Sequence, residues 1–170
     1  MNVLVKIALL IALLPAVSYG GNKPAHENHA ITSGVGLLSP GLRGLLVQEM
    51  QSLQDGMVSI IPAYHSGNWE EIEITARKMK NSYILKQELT KNQATELHSV
   101  LPHEFIKKDQ QFHYLAGMLE HAAKSKKSEL INFYFSEMNA SCVGCHATFA
   151  IHRFPALAPK PKMKNHQDHH

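Results

Sequence analysis

From Leu42 to Phe149 the apolar residues of this chain recur every three or four positions and nowhere alternate, which confines it to helices. Ser39-Pro40 reads as a cap and first-turn pair, and Leu42, Leu46, Met50, Leu53, Met57 and Ile61 then form one stripe. Pro62 is expected to kink or end this helix, leaving Tyr64 in the connection that His65, Ser66 and Gly67 continue. Asn68 with Glu71 resembles a capping box, and Ile72, Ala76, Met79 and Tyr83 mark a second helix running to about Leu89. Thr90 opens a short helical turn holding Leu97 and Val100, which Pro102 closes. Phe105, Phe112, Leu115, Leu119 and Ala122 define a third long helix that ends in Lys124 to Lys127. Ser128 is expected to cap the fourth, with Leu130, Tyr134, Met138, Cys142, Cys145 and Phe149 on one stripe, so that both cysteines face the core. Short connections make sequential helices neighbours. The expected fold is therefore all-α, an antiparallel up-down four-helix bundle in which the early turns of the first helix lie beside the late turns of the fourth.

The ends of the chain differ in character from this middle. A short positive start with Lys6, the apolar run Ile7 to Val17, and the small residues Ser18, Gly20 and Gly21 read as a cleaved secretory signal over 1–20. The run is too short to span a bilayer comfortably. Residues 21–38, rich in Gly, Asn, His, Ser and Pro, read as a flexible lead-in, 39–154 as the folded domain, and 155–170 as a polar tail in which Pro155, Pro159 and Pro161 discourage helix. The expected location is periplasmic, with no stable membrane insertion after signal cleavage. Lys and Arg number 17 against 14 Asp and Glu, and losing Lys6 with the signal lowers the formal charge from +3 by one. A near-neutral chain without a basic stripe and interleaved aromatics does not imply nucleic acid as a partner.

One motif carries chemistry. Cys142-Val143-Gly144-Cys145-His146 is a C-x-x-C-H sequence, which reads as attachment of one haem c: two thiols add across two vinyl groups, and the adjacent imidazole is held beneath the iron as proximal ligand. Gly144 leaves room for the porphyrin to approach the backbone. The competing readings are a thioredoxin-like pair, a structural disulfide and half a zinc site. The first should open a helix after a strand, and the last needs four ligands where there is no second cysteine pair. Export would otherwise leave the thiols to close into a disulfide.

With an export signal, four helices and the motif near the C-terminus, the chain resembles the cytochrome c-prime superfamily over about Ser39 to Phe154. In that family a residue early in the first helix occupies or faces the sixth iron position. A methionine there gives low-spin electron-transfer members, and a non-ligating residue gives five-coordinate members that bind small gases. Met50-Gln51-Ser52-Leu53 resembles the segment with methionine at that place, which makes Met50 the expected distal ligand. It lies roughly 16 Å into the first helix, a depth that suits His146; Met57 is two turns deeper and suits it less. Core filler is the alternative use of Met50, Met57 and Met79. Members often carry Lys or Arg four residues after the ligating His, where this chain has Ala150; the nearest basic groups are His152 and Arg153, the latter placed to pair with a propionate or to sit as a solvated helix-end cation.

The chain holds 12 histidines. His113, beside Phe112, is an alternative iron ligand, while His26, His29, His166, His169 and His170 lie in the ends and form no closed metal site by spacing. The leading expectation is a soluble electron carrier, not a catalyst, with redox proteins as partners and a homodimer among the states the resemblance implies. Its rival is a five-coordinate protein that binds nitric oxide or carbon monoxide against Leu46 and Met50. A peroxidase would need a distal acid or base, and Glu49, the only acid beside Met50, should point away from that residue's face.

Overall fold

A computed structural model describes residues 34–159, and these are all-helical, with no strand among them. The described residues form six α-helices where four long ones were expected: α1 (Pro40–Ser66), α2 (Trp69–Lys80), α3 (Leu85–Glu88), α4 (Lys91–Val100), α5 (His103–Lys124) and α6 (Ser128–Phe149). The expected signal over 1–20 and the end of the tail, 160–170, lie outside the described residues. Folded structure starts before Ser39, because Val35–Leu37 makes a single 3-10 turn and Leu38 is buried.

Ser39 does cap α1, its side chain accepting from the Leu42 N–H, and it also donates to Glu96 Oε2 of α4 at 3.1 Å. The helix does not stop at Pro62. A proline four residues from the end forfeits one backbone hydrogen bond, and the burial of Ile60 and Ala63 on either side keeps the last turn in place. Tyr64 therefore belongs to α1, and the helix ends at Gly67, whose φ of 68° is the left-handed conformation that glycine adopts without penalty. The buried face is also turned from the expected stripe. It runs through Leu42, Leu46, Glu49, Leu53, Gly56, Ile60 and Ala63, joined by Met57, while Met50 and Ile61 are exposed.

Glu49 explains why the second expected helix is cut short. Its carboxylate, 1% exposed, accepts the backbone N–H groups of Tyr83, Ile84 and Leu85 at 3.0, 2.7 and 3.2 Å. Those donors are free only because α2 ends at Lys80 and Ser82 takes a left-handed φ of 59°. Charge-assisted hydrogen bonds of this kind outweigh the roughly 1–2 kcal/mol of a non-glycine left-handed residue. Gly56 lets Tyr83 come close, since a Cβ there would lie 2.7 Å from the Tyr83 hydroxyl.

The excursion through α3 and α4 has its own small core, in which Leu38, Leu42, Leu46 and Leu101 pack with Leu85, Leu97, Phe105 and Ile106. A reciprocal capping box between Thr90 and Gln93 starts α4, which is a full helix rather than the expected turn. The main core joins the four longer helices: Leu53, Met57 and Ile60 of α1, Ile72, Ala76 and Met79 of α2, Ala116 and Leu119 of α5, and Ile131 and Met138 of α6. On α6 the stripe differs from expectation as well. Ile131 is buried and Leu130 is exposed, and the cap residue is Lys127 rather than Ser128. The turn into α6 is made by Lys126 at φ 53°, whose N–H donates to Ala123 while that of Lys127 donates to Ala122. Outside the core, Glu120 of α5 receives Arg77 at 2.8 Å and Lys80 at 2.7 Å from α2.

Replacing Glu49 by Ala strands three backbone donors and should lower stability by about 3 kcal/mol, against about 1 kcal/mol for Glu49→Gln, which keeps an acceptor. Urea denaturation of the two variants checks this ordering. Equal losses would mean that the three hydrogen bonds contribute little.

Candidate functional site

Helices α1 and α6 meet where α1 ends and α6 begins. There the Tyr64 hydroxyl donates to the Ser128 carbonyl at 3.3 Å, and Ile60, Ile61, Ile131 and Phe135 leave only a 140 Å³ gap. Toward the other end of the same helices a larger cleft of about 530 Å³ opens. Leu46, Met50, Leu53 and Met57 line it from α1, Phe105, Lys108, Asp109 and Phe112 from α5, and Cys142, Cys145, His146 and Phe149 from α6. All four residues expected at the site therefore share one cavity. Its size falls within the range of small-molecule and cofactor pockets, and its walls are mainly apolar, as such pockets usually are.

Each side chain owes its place to helix phase. Cys142 and Cys145 are three residues apart, so both project from one side of α6, and His146 follows within the same turn. Cys142 touches the main core and both thiols are half-buried, so "facing the core" describes Cys142 better than Cys145. Burial pushes both thiols above their ordinary range. Burial, and then the nearby charge of Arg153, pulls His146 below the usual imidazole range, which favours the neutral, ligand-competent ring at pH 7. That ring stacks on Phe154, with centroids 4.3 Å apart and planes 10° from parallel. Phe154 is brought back by its N–H donating to Ala150 at 3.0 Å. Phe149 meets Phe105 edge to face at 5.3 Å and ties α6 to α5.

On α1 the decisive neighbour is Glu49. Successive helical residues are about 100° apart; with Glu49 buried against Tyr83–Leu85, Met50 faces the cleft, where it is 37% exposed. Glu49 points away from the cleft, as the helical phase implied. At Gly144 a Cβ would meet no atom within 4 Å, so protein packing makes no demand for glycine there.

His113 does not line the cleft. Its Nδ1–H donates to the Met79 carbonyl at 2.7 Å and its Nε2 is turned toward Asp109 Oδ1 at 3.5 Å, so both ring nitrogens are directed at these groups and His113 is removed as an alternative ligand. Sequence reasoning passed over Asp109 and Lys108 as cleft residues, although their position between Phe105 and Phe112 on α5 was a usable signal.

No family model, curated protein or solved structure matches this chain. Among the described residues no group of three or more His, Cys, Asp or Glu converges to hold a metal, and no helix is long and apolar enough to cross a membrane.

Burial lowers the affinity of His113 for a proton, but the hydrogen bond and charge of Asp109, with the Met79 carbonyl, outweigh burial and the opposing Lys86, so the net shift is upward. A raised folded-state value contributes stability below the unfolded value near 6.5, and this is lost as pH climbs through the folded value. Wild type should therefore lose up to about 1 kcal/mol relative to His113→Gln between pH 6 and 8, measured by urea denaturation at each pH. Parallel pH profiles would contradict it.

Proposed function

We propose that this chain is a periplasmic monohaem c-type cytochrome of the c-prime type, an electron carrier rather than an enzyme, built as an antiparallel four-helix bundle of α1, α2, α5 and α6. The observation that carries the reading is the meeting of Cys142, Cys145, His146 and Met50 in one apolar cleft between α1 and α6. The residues fit the group. Cys142 and Cys145 would hold it covalently, His146 would be the proximal and Met50 the distal iron ligand, and Gly144 leaves open space on the attachment turn. When bound, the haem supplies a one-electron couple whose potential is raised by methionine ligation and by an apolar surround.

The chain's own residues do the rest. Leu46, Leu53, Phe105 and Phe112 give the cleft apolar walls, and the Glu49 anchor holds the α1 rotation that turns Met50 toward it. Phe154 orients His146 by stacking. A haem needs only one or two protein ligands on its iron, so this reading requires no cluster of acidic, histidine and cysteine side chains. A secretory signal over 1–20 suits it, because c-type haem is attached outside the cytoplasm, and redox proteins would be its partners.

Expressed with haem-attachment machinery, the chain should stain for haem on a denaturing gel, and Cys142→Ser with Cys145→Ser should abolish the stain. The wild-type spectrum should be low-spin and insensitive to carbon monoxide. Met50→Ala should turn it high-spin and gas-sensitive and lower the potential. A wild type that is already high-spin and shifts with carbon monoxide would assign gas binding instead, and an unstained wild type would overturn both.

A further inference from the structure

Asp109 and His113 form a polar pair on α5, and Asp109 is also part of the cleft wall. The histidine side chain is 12% exposed, whereas the carboxylate is 37% exposed and so reaches solvent. Because a carbonyl can only accept, the 2.7 Å contact with Met79 fixes the proton on Nδ1. The neutral ring then turns a bare Nε2 lone pair toward the Asp109 carboxylate at 3.5 Å, an arrangement that is relieved only by a second proton. The pair is a proton acceptor waiting to be filled.

The charged groups around it come from several helices. Lys86, at the start of α3, opposes the proton on His113, and Met79 of α2 supplies the carbonyl. Asp109 and Lys108 also line the cleft into which Cys145 and His146 open, so the carboxylate shares that cavity with the turn that would hold the haem.

We propose that the Asp109–His113 pair couples proton uptake to electron uptake at the cleft. This rests on the haem reading above. Each electron delivered by a one-electron donor adds one negative charge in a low-dielectric cleft, and the pair takes one proton from water onto His113 Nε2, facing Asp109, so the charge is balanced. Oxidation returns the proton to solvent. The exposed carboxylate gives that proton its route, and α5 carries both residues one turn apart, so no rearrangement of the fold is required.

The test is the midpoint potential of the haem-loaded protein, titrated with dithionite from pH 5 to 9. Between the proton affinities of the oxidised and reduced forms the potential should fall by up to about 59 mV per pH unit, the value for one proton per electron. His113→Gln should flatten this slope in the neutral range while leaving the spin state of the spectrum unchanged. Asp109→Asn should move the inflection to lower pH. Circular dichroism and the haem stain show that each variant has folded and loaded, and if His113→Gln does not fold, the Asp109→Asn shift decides alone. A stain-negative wild type overturns the haem reading and the coupling with it. Loaded protein with a flat profile, or with a slope that both variants preserve, overturns the coupling and leaves the haem reading standing.

Discussion

The Glu49 carboxylate, buried under α1 and bonded to three consecutive backbone N–H groups, is the constraint from which the rest of the arrangement follows. It stops α2 early, starts α3, and pins the rotation of α1 about its own axis. A helix fixed in rotation at one residue is fixed at every other, so the neighbouring Met50 has no choice but to face the cleft. A buried carboxylate is costly unless its hydrogen bonds are made. Here they are made by donors that an uninterrupted second helix would have used for itself.

The cleft follows from a second asymmetry. The main core clamps α1 to α6 at one end through Ile60, Ile131 and the Tyr64 hydroxyl. The smaller core of α3 and α4 takes up the other half of α1 through Leu42 and Leu46, and it reaches the cleft itself through Leu46 and Phe105. Packed in part against this second core, α1 leaves a cavity with apolar side chains between itself and the turn that carries Cys142, Cys145 and His146. A chain whose four longer helices alone formed the core would lack this support, which gives the unexpected α3 and α4 a structural purpose.

Much of this was legible beforehand. Helical period, the Ser39 and Asn68 caps, the positions of α5 and α6, and the sharing of one turn by Cys142, Cys145 and His146 follow from spacing, because 3.6-residue geometry puts residues three and four apart on one face whatever surrounds them, whereas Met50 on another helix was singled out by the family resemblance. The misreadings share a cause. On α1 the apolar steps were followed from Leu46 to Met50, whereas the true buried line steps to Glu49 and later to Gly56, a charged residue and a glycine that no hydrophobic pattern selects. Leu42, Leu46, Leu53 and Ile60 already kept the three-four rhythm that passes through both positions. On α6, Leu130 and Ile131 are equally apolar, and only the packing of α6 into the main core decides which is covered.

By itself the sequence determined the all-helical character of the described residues, the places where most helices start, and one turn of α6 carrying two thiols and an imidazole, since these depend on bonds and contacts within a few residues. Tertiary structure alone decided that α2 breaks at Lys80, that His113 is held by the Met79 carbonyl, and that the cysteines open onto a cavity rather than a sealed core. Each of those outcomes depends on a partner at least thirty residues away or on another helix, where a buried polar group must find its hydrogen bonds wherever the fold supplies them.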